Sequence, residues 1–188
     1  MKRLLDLMIS VFALMIFLVP GVLVALVVWL TSKGPVIYWS DRVGQYNKIF
    51  KMPKFRTMKV NTPAVATHIM ENAEDHLIPL GSFLRKSSFD ELPQLWCIMK
   101  GEMSFVGPRP ALFNQDDLIQ LRTEKGIDKL VPGLTGWAQV NGRDELPIPL
   151  KVALDFEYME RQSHGLDSVS YTHLRAHETE AALVCRLL

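Results

Sequence analysis

Asp90 and Glu91 are adjacent carboxylates that follow the basic pair Arg85-Lys86 and stand just ahead of Pro93. Proline has no backbone N–H and its ring clashes with a preceding turn, so it fits a helix only in the first turn. The stretch RKSSFDELPQ therefore predicts a helix that begins near Phe89 or Asp90 and carries LPQLWCIMK, with Ser87, Ser88 or Asp90 as cap. Both carboxylates then sit at a helix N-terminus, where unpaired N–H groups and the dipole favour negative charge. Asp90 is expected to be ionised at neutral pH, and the same helix end suits a phosphate. The plainer reading is a capping box, with Ser88 and Glu91 at the S-x-x-E spacing. Gln94 follows one turn later, where its amide can orient the carboxylates or a substrate.

Cations accompany the pair. Lys54 and Arg56 share a face if KFRTM is extended; Arg85 precedes the carboxylates; Arg109 is pinned between Pro108 and Pro110; Arg143 follows the tight turn Asn141-Gly142. Planar guanidinium forks bond two phosphate oxygens at once. No Ser/His/Asp order, glycine-rich phosphate loop or Cys/His cluster competes with this set.

Composition bounds what can hold these groups. The 188 residues allow one modest domain plus an attachment. Lys+Arg 21 against Asp+Glu 20 leaves almost no net charge, so nucleic acid is not an expected partner. The charge is uneven, however. Lys33 to Lys59 carries a basic block whose one acid is Asp41, while Glu71, Glu74 and Asp75 form an acidic patch. A basic block beside an apolar segment suits a membrane surface or a phosphate-bearing ligand. Cys97 and Cys185 are far apart and lack metal spacing, which fits a reducing compartment.

The attachment is the run from Leu7 to Leu30, long enough to cross a bilayer, with Ser10 its one clearly polar side chain. Lys2 and Arg3 resemble the basic start of a secretory signal, but the run is too long and no A-x-A-like site follows. Pro20-Gly21 interrupts it, where proline removes a hydrogen bond and glycine loosens the turn. Positive charge flanks both ends, so the positive-inside bias holds both in the cytoplasm. A re-entrant helix broken near Pro20 satisfies both observations, although spanning helices also tolerate proline.

Downstream, Val36–Trp39 and Ile49–Met52 read as short strands joined by the loop Gly44-Gln45-Tyr46-Asn47, with Pro53 interrupting the second. Ala64–Leu77 has helical spacing, and its His68 and His76 read as part of an exposed polar face rather than metal ligands. The Asp90 helix should stop before Gly101. Met103–Val106 reads as a buried strand, Asn114 as the cap of a helix to about Lys125, Pro132–Gly136 as a turn, Trp137–Val140 as a strand, and Pro149 as the opening of a last helix to about Gln162. The expected class is α+β, mainly helical with short strands: residues 1–33 a re-entrant membrane helix, 34–167 a cytoplasmic catalytic domain, 168–188 an atypical tail. His173 and His177 in that tail imitate a metal site without an H-E-x-x-H pattern, and the tail is read as non-functional.

Five segments in this order, KRLLDLMIS, KFRTM (54–58), RKSSFDELPQLW (85–96), KGEMSFVGPRP (100–110) and PGLTGWAQVNGR (132–143), resemble the bacterial sugar transferase family, the small monotopic phosphoglycosyl transferases. The resemblance covers residues 1–167. It implies transfer of a phosphosugar from a UDP-sugar to a polyprenol phosphate such as undecaprenyl phosphate, with UMP released, as the first membrane step of glycoconjugate synthesis. It further implies Mg²⁺, a re-entrant helix at the bacterial inner membrane with the catalytic domain facing the cytoplasm, and an aspartate–glutamate dyad falling on Asp90 and Glu91. The aspartate would form a covalent phosphosugar intermediate that the lipid phosphate resolves. Glu91 can hold the metal with Asp90, orient Asp90, or cap the helix. Lys54, Arg56, Arg85, Gln94, Arg109 and Arg143 are the expected substrate-binding residues.

Two departures stand out. Cys97 occupies a position where the family pattern has asparagine, and residues 169–188 do not resemble the amphipathic segment with which the family continues. Two other classes fit the same charges: a membrane-tethered scaffold binding anionic lipid or nucleotide, and a lipid-phosphate hydrolase using water as acceptor.

Overall fold

The computed structural model describes residues 2–60, 62, 73–142 and 146–162. They fall into two compact units, the first built from Arg3–Arg42 and Ile49–Glu102, the second from Lys2, Val43–Lys48 and the chain from Met103 onward. The mixed, mostly helical class expected from sequence is what is seen.

Helix α1, Lys2–Thr31, belongs to the first unit from Arg3 onward and runs as helix through Pro20, so the break expected there does not interrupt it. At a rise of 1.5 Å per residue it is about 45 Å long. Asp6, Ser10, Val24 and Val28 are its buried residues, and they share one stripe because eighteen residues make five turns. Between Ser10 and Val24 nothing is buried, and Leu14, Met15, Ile16, Leu18, Val19, Val22 and Leu23 are bare. Both ends of α1 are tied to the same unit. Arg3 donates to the carbonyls of Ile98 and Met99, while Val24 and Val28 pack with Phe55, Ile78 and Leu84.

Strands β1, Ile37–Val43, and β2, Ile49–Phe55, pair in a two-stranded sheet. Pro53 lies inside β2 rather than ending it, as a strand in so small a sheet permits. Helix α2, Gly81–Lys86, leads into a 3₁₀ segment, Phe89–Gln94, and then α3, Leu95–Lys100. The expected single helix is thus two pieces, with Pro93 in the tighter first one. Gly101, at φ 90°, ends α3 in the left-handed region as expected. Of the expected helix Ala64–Leu77, residues 64–72 lie outside the described residues, Ala73–His76 is a 3₁₀ turn, and Leu77 bridges to Met58.

In the second unit β3, Ser104–Val106, and β4, Gly133–Thr135, run parallel, Ser104 opposite Gly133 and Val106 opposite Thr135. This corrects two expectations: Pro132–Gly136 carries a strand, and Trp137–Val140 is a short helix, α5. The pairing is close because Gly107 meets Gly133 and Gly136 backbone to backbone. Helices α4, Asp116–Glu124, and α6, Ile148–Arg161, pack around Ala111, Leu118, Ile127 and Val152. Pro149 falls in the first turn of α6, as expected. At the start of α4 Gln115 stands at the cap position, one residue after the expected Asn114, and its Oε1 accepts from the Leu112 N–H at 2.9 Å.

Candidate active site

The carboxylates are presented by packing rather than by a capped helix. Phe89 and Leu92 sit three apart on the 3₁₀ segment and both pack on the core of Phe55, Ile78 and Leu84. In a three-residue turn that places Asp90, Glu91 and Gln94 on the remaining faces. Ser88 enters the segment in the left-handed region at φ 57° and makes no side-chain cap bond. The expected capping box is therefore absent. The Glu91 N–H bonds the Ser88 carbonyl at 3.1 Å, and the Glu91 side chain turns elsewhere.

It turns to β2. Phe55 points into the core, and alternation sends its neighbour Lys54 to the opposite face. There Lys54 Nζ donates to Glu91 Oε1 at 2.7 Å, both side chains largely enclosed. Asp90 is buried, 7% exposed. Arg85 lies within its electrostatic reach: burial lowers the Arg85 pKa from its ordinary value, and the negative charge of Asp90 opposes that shift. Arg85 Nε also donates to Thr57 Oγ1 at 3.0 Å. The carboxylate pair thus has a cation on either side.

Two expected substrate-binding residues of this unit carry donors in search of acceptors. Arg56 is buried and none of its three guanidinium nitrogens has a hydrogen-bond partner; Gln94, 1% exposed, has the same deficit at Nε2. Buried donors are nearly always paired, so such groups need an explanation. Donors with nothing to bond suit an oxygen-rich anion.

Arg109 belongs to the second unit. Pro108 and Pro110 flank it, and its carbonyl accepts from Arg122 Nη1 at 2.8 Å. Arg122 also donates from Nε and Nη2 to Asp155 Oδ2, at 3.0 and 2.6 Å. Burial raises the Asp155 pKa, and the Arg122 charge and hydrogen bonds oppose the rise. Arg122 thus ties the Gly107–Pro110 turn to α6 through Asp155. Sequence reasoning missed Thr57, Arg122 and Asp155, whose partners lie tens of residues away. Arg143, His68, His173, His177 and the tail 168–188 lie outside the described residues.

Cys97, the departure from the family pattern, is buried at 1% exposure. Its thiol is pushed up to about 12, first by burial and then by the charge and hydrogen bond of Glu102. It fills core space and stays a thiol.

A family model described as bacterial sugar transferase matches residues 1–173. The chain is 38% identical over 169 residues to the uncharacterized sugar transferase EpsL of Bacillus subtilis (strain 168), with 89% of this chain and 81% of that protein covered. It is 37% identical over 177 residues to the undecaprenyl-phosphate glucose phosphotransferase of Komagataeibacter xylinus, covering 88% of this chain and 33% of the relative. It is 38% identical over 177 residues to the UDP-glucose:undecaprenyl-phosphate glucose-1-phosphate transferase of Escherichia coli (strain K12), covering 89% and 38%. The chain thus spans most of EpsL and well under half of the two longer relatives.

Proposed function

The chain belongs to the bacterial sugar transferase family, and from that premise we propose that it transfers a phosphosugar from a UDP-sugar to undecaprenyl or a related polyprenol phosphate through a covalent intermediate on Asp90. The relatives named for undecaprenyl-phosphate glucose transfer support the reaction class. The observation that carries the assignment of Asp90 is its setting: a buried carboxylate beside Arg85 and next to the Lys54–Glu91 pair, on a unit that also ties down both ends of an apolar helix.

The chemistry follows from that setting. A carboxylate oxygen of Asp90 attacks the sugar-linked phosphorus; the new O–P bond forms as the bridging P–O bond to UMP breaks. The lipid phosphate then attacks the same phosphorus and returns the bonding pair to the carboxylate. Splitting one displacement into two gives each substrate its own step. Arg85 limits the repulsion between Asp90 and an incoming diphosphate. Lys54 fixes Glu91, and the Gln94 amide is available to a phosphate oxygen. From the family resemblance, Arg109 and Arg143 are also proposed to bind phosphate.

Two adjacent carboxylates fit Mg²⁺, which takes oxygen ligands from one or two carboxylates together with substrate phosphates. Among the described residues no cluster of three or more candidate ligands is present, so substrate oxygens and water would complete the shell. Asp90 and Glu91 would hold the ion, and when bound it neutralises diphosphate charge.

The location is part of the proposal. Helix α1 is long and apolar enough to cross a membrane, but its two ends are fastened to one unit while its middle is bare. A hydrocarbon core about 30 Å thick cannot separate two points of one small unit, which supports a re-entrant course that turns at Pro20-Gly21 without interrupting the helix, with both ends on the cytoplasmic face of the inner membrane. The reaction then takes place at headgroup level, where a soluble nucleotide sugar and a lipid phosphate can meet.

The test is a single-turnover assay with Mg²⁺ and UDP-sugar labelled in the sugar-linked phosphate, without lipid. We expect UMP release of about one per enzyme, label on the Asp90 peptide, and its chase by undecaprenyl phosphate. Free phosphosugar without lipid would indicate a hydrolase, and neither UMP nor label would indicate a binding scaffold. A panel of UDP-sugars in the same assay identifies the sugar.

A further inference from the structure

We propose that the Arg56 guanidinium seats a lipid-borne phosphate monoester, the acceptor of the transfer; this assignment rests on the transferase reading above. Arg56 is 5% exposed and Nε, Nη1 and Nη2 all lack hydrogen-bond partners. Arginine cannot shed its charge in a protein and has five N–H donors and no acceptor. Burying such a group unpaired is strongly unfavourable. A ligand made of anionic oxygens removes that penalty, and a phosphate matches the fork.

Position selects the kind of phosphate. The guanidinium lies against Gly34, the third residue beyond the end of α1, and the Arg56 N–H bonds the Val36 carbonyl at 2.9 Å. Gly34 has φ +117°, and a Cβ there would fall on Nη1, so the chain leaves this space without a side chain. The site is thus at the foot of an apolar helix, at the depth of a lipid headgroup. On its other flank Thr57 accepts from Arg85 Nε, and Arg85 responds to the charge of Asp90. Arg56, Thr57, Arg85 and Asp90 therefore lead from the helix foot toward the proposed nucleophile.

A phosphate held there is the nucleophile of the second displacement. Its anionic oxygen forms the new P–O–P bond, the bond between Asp90 and phosphorus breaks, and the electron pair returns to the carboxylate. No proton has to move.

The experiment uses full-length protein in nanodiscs, with Arg56→Gln and Arg56→Lys. We expect Arg56→Gln to raise the KM for polyprenyl phosphate about tenfold or more, and to raise it more than the KM for UDP-sugar, with partial recovery in Arg56→Lys. Polyprenyl monophosphate should raise the Tm of the wild type and not of Arg56→Gln, whereas neutral polyprenol should raise neither. Equal changes in both KM values would overturn the assignment. So would equal stabilisation by inorganic phosphate, which would mark a site for free phosphate. If Arg56→Gln does not fold, Gly34→Ala, which thrusts a methyl group at the guanidinium, must show the same KM split. A wild type that releases no UMP would refute the transferase reading, while the Tm comparison would still judge Arg56.

Discussion

Replacing Arg122 with methionine separates what the buried ion pair does for stability from what it does for Arg109. Arg122 makes two bonds to Asp155 Oδ2 and one to the Arg109 carbonyl, and Asp155 is 1% exposed. Arg122→Met strands a buried carboxylate, for which breaking such pairs costs about 3–5 kcal/mol. In a chain of this size that lowers Tm by roughly 6–20 °C. The loss depends on pH. Burial already raises the Asp155 pKa against the opposition of Arg122, so removing the cation raises it further. A carboxyl that is harder to ionise when folded favours folding below its unfolded pKa and loses that advantage as pH rises through the folded value. The deficit of Arg122→Met should therefore be larger at pH 8 than at pH 5. The double variant Arg122→Met/Asp155→Leu removes both charges, and such apolar replacements are often neutral or stabilising. Its Tm should return most of the way to wild type. The Arg109 carbonyl still lacks its charged donor, a contact worth about 1.5–3 kcal/mol. If one to two kcal/mol of that is felt in substrate positioning, kcat/KM for UDP-sugar stays roughly 5–30-fold low in the double variant. Thermal melts at two pH values and UMP-release kinetics measure both quantities. Recovery of activity in step with Tm would refute the positioning argument and leave the pair a purely structural strut.

Other expectations follow from single contacts. Asp90→Asn should abolish UMP release while the melt stays within a few degrees of wild type; appreciable turnover would remove Asp90 from the nucleophile role. Lys54→Met takes away the partner of Glu91 at 2.7 Å, and should lower kcat/KM about tenfold or more with Lys54→Arg retaining part, whereas unchanged kinetics would show that Glu91 needs no anchor. Cys97, with its thiol pushed up to about 12, should alkylate at pH 8 about 10³-fold more slowly folded than unfolded on thiolate fraction alone. Peptide mass spectrometry after iodoacetamide would check this. Because the folded state keeps this thiol protonated, stability should fall as pH rises above the unfolded thiol range.

The expectations that held rest on local chemistry. The strands β1 and β2 were readable from apolar residues either side of Gly44–Asn47, the end of α3 from Gly101, and the start of α6 from Pro149. What failed was decided at a distance. Ser88 and Glu91 have the spacing of a capping box, yet Ser88 adopts a left-handed backbone and Glu91 bonds Lys54, 37 residues earlier. Trp137–Val140 has the aromatic and β-branched residues of a strand, but the pairing with β3 is taken by Gly133–Thr135, and the chain coils directly after it. The Arg122–Asp155 pair spans 33 residues, and nothing near either residue announces the other. The buried, unpartnered state of Arg56 is likewise a property of the folded chain; the sequence offers only an arginine in a basic block.

The crossing of Gly107 with Gly133 and Gly136 limits how this region can change. A Cβ on Gly107 would stand 2.5 Å from the Val131 carbonyl oxygen, and one on Gly133 or Gly136 would strike the Gly107 backbone. Nothing smaller than glycine exists, and the next residue up already collides with main chain that cannot rotate aside. Mutational drift here has no shallow slope to follow: a lineage either keeps all three bare positions or must rebuild two loops at once, and the loop of Gly107 leads straight to Arg109.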